Sequence, residues 1–201
     1  MSPARSLAPN NSFKPTAEVG LGFSDKQPRG GGLTQVLGDK GVAELDKMLD
    51  EAFPLRPLPH STLHQAALAN ENILRKISDE EWARATETDK NRTWRSYLDD
   101  ELVACRSALA HLTGDAFVYY LPAFIGSAAR HIKADWKDKH WALVGAVIFY
   151  LTDRSPYNLG RLDLLSPEQR KAAIYLLKLA AKSEIDESSD AEESLARYWS
   201  K

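Results

Sequence analysis

The chain has 201 residues, 26 basic against 28 acidic side chains and a formal net charge of −2. That length suits one globular domain with a core that needs no staples. The near balance of charge gives no general electrostatic case for nucleic acid or an anionic membrane surface. With Cys105 as the one cysteine, an intramolecular disulfide and a cysteine-based zinc site are both excluded, which suits a reducing cytoplasm.

Residues 1–40 carry Pro3, Pro9, Pro15, Pro28 and the run Gly30-Gly31-Gly32. They lack apolar periodicity and read as a disordered or loosely docked leader. There is no apolar h-region for a signal peptide. The glycine run is not a phosphate loop, because no Lys-Ser or Lys-Thr follows it.

The globular part is placed at 41–183. A first helix is predicted over 42–53, with Leu45, Leu49 and Ala52 or Phe53 on one face; Pro54 ends it, and Pro57 and Pro59 keep the next stretch extended. A second helix is predicted over 62–77, capped at Ser61, with Leu63, Ala66 or Ala67, Ile73 or Leu74 and Ile77 as its apolar stripe. Ser78 and Glu81 form a capping box for a short helix carrying Trp82. A polar junction at 87–95 leads to a helix over 96–112, in which Leu98, Leu102, Cys105, Leu109 and Leu112 share one face and Asp99, Asp100 and Glu101 favour its positive end. Cys105, on that stripe, is expected to be a buried, inert thiol.

Asp115 to Arg130 encloses fourteen consecutive uncharged residues and is the predicted centre of the fold. Phe117, Leu121, Phe124, Ile125 and Ala128 recur at helical spacing, while Pro122 must bend or restart the helix. Tyr119 and Tyr120 point about 100° apart on such a helix, so one is expected in the core and the other as a polar handle at its edge. After a polar connector over 130–140, Trp141 to Thr152 is apolar almost all round and predicts a second buried helix. Residues 155–160 read as a loop. Ser166-Pro167-Glu168-Gln169 is a helix start, with Ser166 capping and Pro167 in the first position of a helix reaching Lys182. Residues 184–201 read as an exposed acidic linker and a last amphipathic helix using Leu195, Tyr198 and Trp199. The expectation is an all-α single domain of about six to eight helices around two apolar ones, one kinked at Pro122.

The run Phe117-Val118-Tyr119-Tyr120-Leu121-Pro122-Ala123-Phe124 resembles the F-x-Y-Y-L-P-A-(F/Y) core of a family of small bacterial proteins of unknown function. Leu165-Ser166-Pro167-Glu168-Gln169-Arg170 is similar to that family's L-(S/T)-P-E-Q-R helix start. The resemblance spans roughly residues 42 to 182; it implies an all-helical domain and brings no activity or catalytic residues. Within the leader, residues 10–16 and 29–37 resemble translated recombination repeats that flank bacterial integron gene cassettes.

No reactive constellation emerges. His60 and His64 lack the carboxylate of a His-Glu-x-x-His pattern, and His111, His131 and His140 have no partner at ligand spacing, so neither metal nor cofactor is expected. Gly126-Ser127-Ala128 lacks the second glycine and the preceding strand of a nucleophile elbow. No helix offers a basic, base-reading face. The eleven-residue window Trp141 to Leu151 falls short of the roughly 20 residues that span a bilayer. The sequence therefore points to a noncatalytic cytoplasmic binding or interaction protein with a protein partner or a second copy of itself. The alternative is a small-molecule-binding bundle or small enzyme with a pocket where Pro122 opens the helix. Tyr119, Tyr120, Arg130, His131 and Arg161 are the candidate contacts, with Arg130 or Arg161 as an anion anchor.

Overall fold

Helix α5, Gly114–Arg130, is the axis of the fold, and every residue from Ala116 to Ala129 along it is buried. A helix apolar on all sides must be covered on all sides. Accordingly α1 (Gly31–Ala52), α4 (Asp99–Ala104), α6 (Trp141–Thr152), α7 (Pro156–Leu162) and α8 (Pro167–Ala181) all pack against it. The computed structural model describes residues 31–183 and 185–200, with the side chains of 31–39 left aside. Most of the segment read as a leader, residues 1–30, lies outside the described residues.

The expected all-α single domain is observed, without strands among the described residues. Several boundaries differ from expectation. Helix α1 begins at Gly31 rather than at Val42 and takes in the end of the predicted leader. Helix α2 covers only Leu63–Glu71 and is capped by Thr62 rather than Ser61. The Asn72 side chain donates to the Leu68 carbonyl at 2.8 Å and ends it there. Ile73 and Leu74, assigned to its apolar stripe, are 72% and 100% exposed.

The helix predicted over 96–112 is two pieces, α4 and a 3-10 turn at Arg106–Ala110. Its acidic triplet is itself the first turn, so Leu98 lies outside and is 72% exposed. Cys105 sits at the break, buried as expected, and burial pushes its thiol up to about 12.

Helix α3 (Asp79–Asp89) starts at the predicted Ser78–Glu81 capping box. Helix α8 starts at Ser166 with Pro167 first and Gln169 completing the box. Residues 155–160 form most of α7 rather than a loop: Ser155 accepts the amide of Asn158, and Pro156 holds the first position. Helix α5 runs unbroken through Pro122, although the proline leaves the Val118 carbonyl without its helical donor.

At the C-terminus, α9 (Ser188–Ser194) and a π-helical turn at Leu195–Trp199 lie on α6 and α8. The acidic stretch is not exposed throughout, since Ala191 is fully buried. Trp199 docks onto the domain, its indole N–H donating to the Leu151 carbonyl at 3.0 Å. No described helix is long and apolar enough to cross a membrane.

Candidate functional site

The last carbonyls of a helix need partners from outside it. At the end of α1 these come from distant side chains: Gln169 Nε2 donates to the Ala52 carbonyl at 3.2 Å, and Trp94 Nε1 to the Phe53 carbonyl at 3.0 Å. Pro54, Pro57 and Pro59 then keep the chain from re-entering a helix. The resulting arm stands away from α5 and leaves a cleft of about 340 Å3.

Phe53, Pro54, Pro57, Pro59, Trp94, Val118, Tyr119 and Leu164 form apolar walls, and Arg56, Asp115 and Gln169 supply the polar lining. The polar groups are unequal. Gln169 is occupied by Ala52, and Asp115 accepts the Thr113 hydroxyl at 2.7 Å. Arg56 is exposed and makes no ion pair or side-chain hydrogen bond among the described residues. The cleft therefore combines an aromatic and prolyl interior with one uncommitted cation.

Of the residues singled out from sequence, Tyr119 reaches this cleft. It is 9% exposed, and its hydroxyl donates to the Arg92 carbonyl at 3.2 Å. Tyr120 is fully buried, with Tyr97 and Tyr119 edge-on to its ring at 5.7 and 4.9 Å. Both tyrosines are thus buried in the core rather than divided between core and edge; Tyr119 borders the cleft and Tyr120 does not.

Arg161, the other candidate anion anchor, lies inside the domain. It is 4% exposed, donates to the Leu109 carbonyl at 2.5 Å and to Asn158 Oδ1 at 2.7 Å, and lies over the Phe117 and Tyr157 rings. Burial pulls its pKa below the usual arginine range.

Arg130 and His131 come together on one carboxylate. Arg130 is bidentate to Asp99 at 2.5 and 3.2 Å, and His131 Nε2 lies 2.9 Å from Asp99 Oδ2. Partial burial works to raise the Asp99 carboxyl, but Arg130 and His131 outweigh it and hold it below the ordinary aspartate range. Two side chains expected to greet a partner are thus tied to the domain's own α4. A cavity does adjoin Pro122, but at about 140 Å3 it is much smaller than the cleft.

The acidic triplet that opens α4 serves tertiary pairing as well as the helix dipole. Asp99 takes Arg130 and His131; Asp100 takes Lys139 at 2.6 Å and lies 3.2 Å from His140 Nε2. Glu101 turns the other way. It binds Arg92 at 2.5 and 2.7 Å and lies 3.4 Å from His64 Nε2.

His64 Nδ1 is in turn 2.7 Å from Asp89, which is fully buried and also accepts the His64 backbone N–H at 2.9 Å and the Tyr97 hydroxyl at 2.7 Å. The Asp89 hydrogen bond, stronger here than the opposing burial, raises the His64 pKa. Cys105 and His64 both border a neighbouring hollow of about 360 Å3. A thiol pushed up to about 12 supplies no thiolate, so the alternating chain Asp89–His64–Glu101–Arg92 acts as a clamp joining α2, α3 and α4.

The cleft was half legible. The three prolines announce an extended arm, but the side chains that pin it, Trp94 and Gln169, lie 41 and 117 residues from their acceptors. A protein-family model that describes a family of unknown function matches residues 42–201. No curated protein and no solved structure matches the chain.

Proposed function

The chain belongs to the family of unknown function DUF6714; as that membership carries no activity with it, we propose from the geometry a noncatalytic binding protein. Its ligand is a small apolar carboxylic acid, held in the cleft between the proline arm and α5. The observation that carries this reading is the pairing of an apolar, aromatic-walled cleft with the uncommitted Arg56. Ligand sites combine mostly apolar walls with a few polar groups that fix orientation, and a volume of about 340 Å3 suits a small ligand. A guanidinium matches a carboxylate in charge and in fork geometry.

The likeness of residues 10–16 and 29–37 to cassette repeats supports reading the protein as accessory cargo of a mobile bacterial cassette. Its single, buried cysteine supports a cytoplasmic setting.

Isothermal titration with decanoate and with 3-phenylpropionate tests the site. At least one should bind saturably, and Arg56→Ala should weaken it about ten- to a hundredfold, as loss of a charged hydrogen bond does. Leu164→Trp, at a 57% exposed position on the rim, should block binding without unfolding the domain. Failure of both acids to bind, or an Arg56→Ala affinity equal to that of the parent, would overturn the assignment.

A further inference from the structure

The connector between α5 and α6 brings two imidazoles face to face. His131 follows the last residue of α5 and His140 precedes α6; their ring centroids are 3.7 Å apart and their planes differ by 3°. Each ring turns its Nε2 toward its own carboxylate on the first turn of α4. His131 Nε2 is 2.9 Å from Asp99 Oδ2, and His140 Nε2 is 3.2 Å from Asp100 Oδ1.

A histidine that ligates a metal through one nitrogen commonly gives its other N–H to a carboxylate, which fixes the tautomer and orients the ring. Asp99 stands in that relation to His131, and Asp100 lies 3.2 Å from His140 Nε2, near enough to take it up when the ring turns, which leaves the two Nδ1 atoms for a common ligand. Asp138 Oδ1 is already 2.7 Å from His140 Nδ1, and His131, Asp138 and His140 each offer a donor atom within 4.8 Å of the other two. His140 is only 9% exposed, and its Nε2 is buried without a well-formed hydrogen bond despite the nearness of Asp100.

We propose that His131, His140 and Asp138 form a site for a divalent transition-metal ion, with zinc the best match. Two imidazoles and one carboxylate suit zinc and disfavour magnesium or calcium, which seek all-oxygen shells. Zinc bonds to such donors are about 2.0–2.2 Å, so the ion replaces the direct His140–Asp138 contact. Both rings then splay from parallel, pivoting on their Asp99 and Asp100 contacts, until the lone pairs converge.

Local charge permits this. Asp99, Asp100 and Asp138 outnumber the paired cations Arg130 and Lys139. Three protein donors leave a fourth tetrahedral position for water or an outside ligand. The ion would also fasten the 131–140 connector to the end of α5.

The test is calorimetric titration of the full chain, first stripped with chelator, with zinc chloride and separately with magnesium chloride. One equivalent of zinc should bind and magnesium should not. Asp138→Asn and His131→Ala should each weaken zinc at least about tenfold, and Asp99→Asn, which touches no metal, about ten- to a hundredfold. His60→Ala should leave the affinity unchanged. Thermal unfolding without zinc confirms that each variant is folded, so a failed fold is not counted as lost binding. Absence of stoichiometric zinc uptake, or uptake that survives the combined His131→Ala and Asp138→Asn replacement in a folded protein, overturns the proposal.

Discussion

Replacing Asp89 with alanine is expected to destabilise the domain by about 3–5 kcal/mol, the range found when one partner of a buried ion pair is removed. Against a typical total of about 5–15 kcal/mol, that is a large share. The carboxylate is fully buried and accepts from the His64 amide, the His64 ring and the Tyr97 hydroxyl. Its loss leaves the His64 amide, the His64 ring and the buried Tyr97 hydroxyl without their acceptor.

The replacement should also change the pH profile. Burial works to raise Asp89, but the hydrogen bonds from His64 and Tyr97 win and its folded pKa is lowered from 3.8. Its contribution is therefore present above pH 3.8 and lost as pH falls through the lowered value. His64 is raised from 6.5 by Asp89, so its contribution is complete below pH 6.5 and lost as pH rises through the raised value. The pair thus supports the fold fully between the two ordinary values, and Asp89→Ala should erase both limbs. Urea denaturation across pH 3 to 9 measures this; an unchanged midpoint, or a parental pH profile in the variant, would show that the clamp contributes nothing.

Phe124→Ala is expected to cost about 3–5 kcal/mol, the usual penalty for a large aromatic cut back in a core that cannot collapse around the void. Phe124 is fully buried at the middle of α5, a helix enclosed by five others. Phe149, on the neighbouring α6, is 55% exposed, and Phe149→Ala should stay within about 0.5 kcal/mol. The two variants compare the same deletion in two surroundings; equal midpoints would mean that α5 is not the axis of the core.

Local signals were the legible ones. The capping boxes at Ser78 and Ser166, the buried α5 and the inert Cys105 all follow from spacing within a few residues, whereas α6, apolar almost all round in sequence, is buried along one face only and leaves Phe149 55% exposed. The Ile73–Leu74 and Leu98 assignments failed because apolar periodicity was carried past real helix ends, where Asn72 and the acidic triplet stop or start the turn. The candidate contact residues are a different case. Arg130 and His131 look free in the sequence, yet their acceptor Asp99 lies more than thirty residues upstream, at separations of 31 and 32. Nothing local marks Asp99 as theirs rather than as a helix-dipole charge. His64 and Asp89, separated by 25 residues, are joined only once α2 and α3 fold together.

The way α1 is finished bears on the order in which the molecule comes into being. Its Ala52 carbonyl waits for Gln169, 117 residues later. A ribosome delivers the chain at about 5–20 residues per second, so for several seconds the nascent protein holds α1, the proline arm and much of α5 with that end of the helix still open. The cleft therefore reaches its final shape only when α8 emerges, and an interrupted translation product ending before Gln169 would present an unfinished, apolar-walled arm to the quality-control machinery.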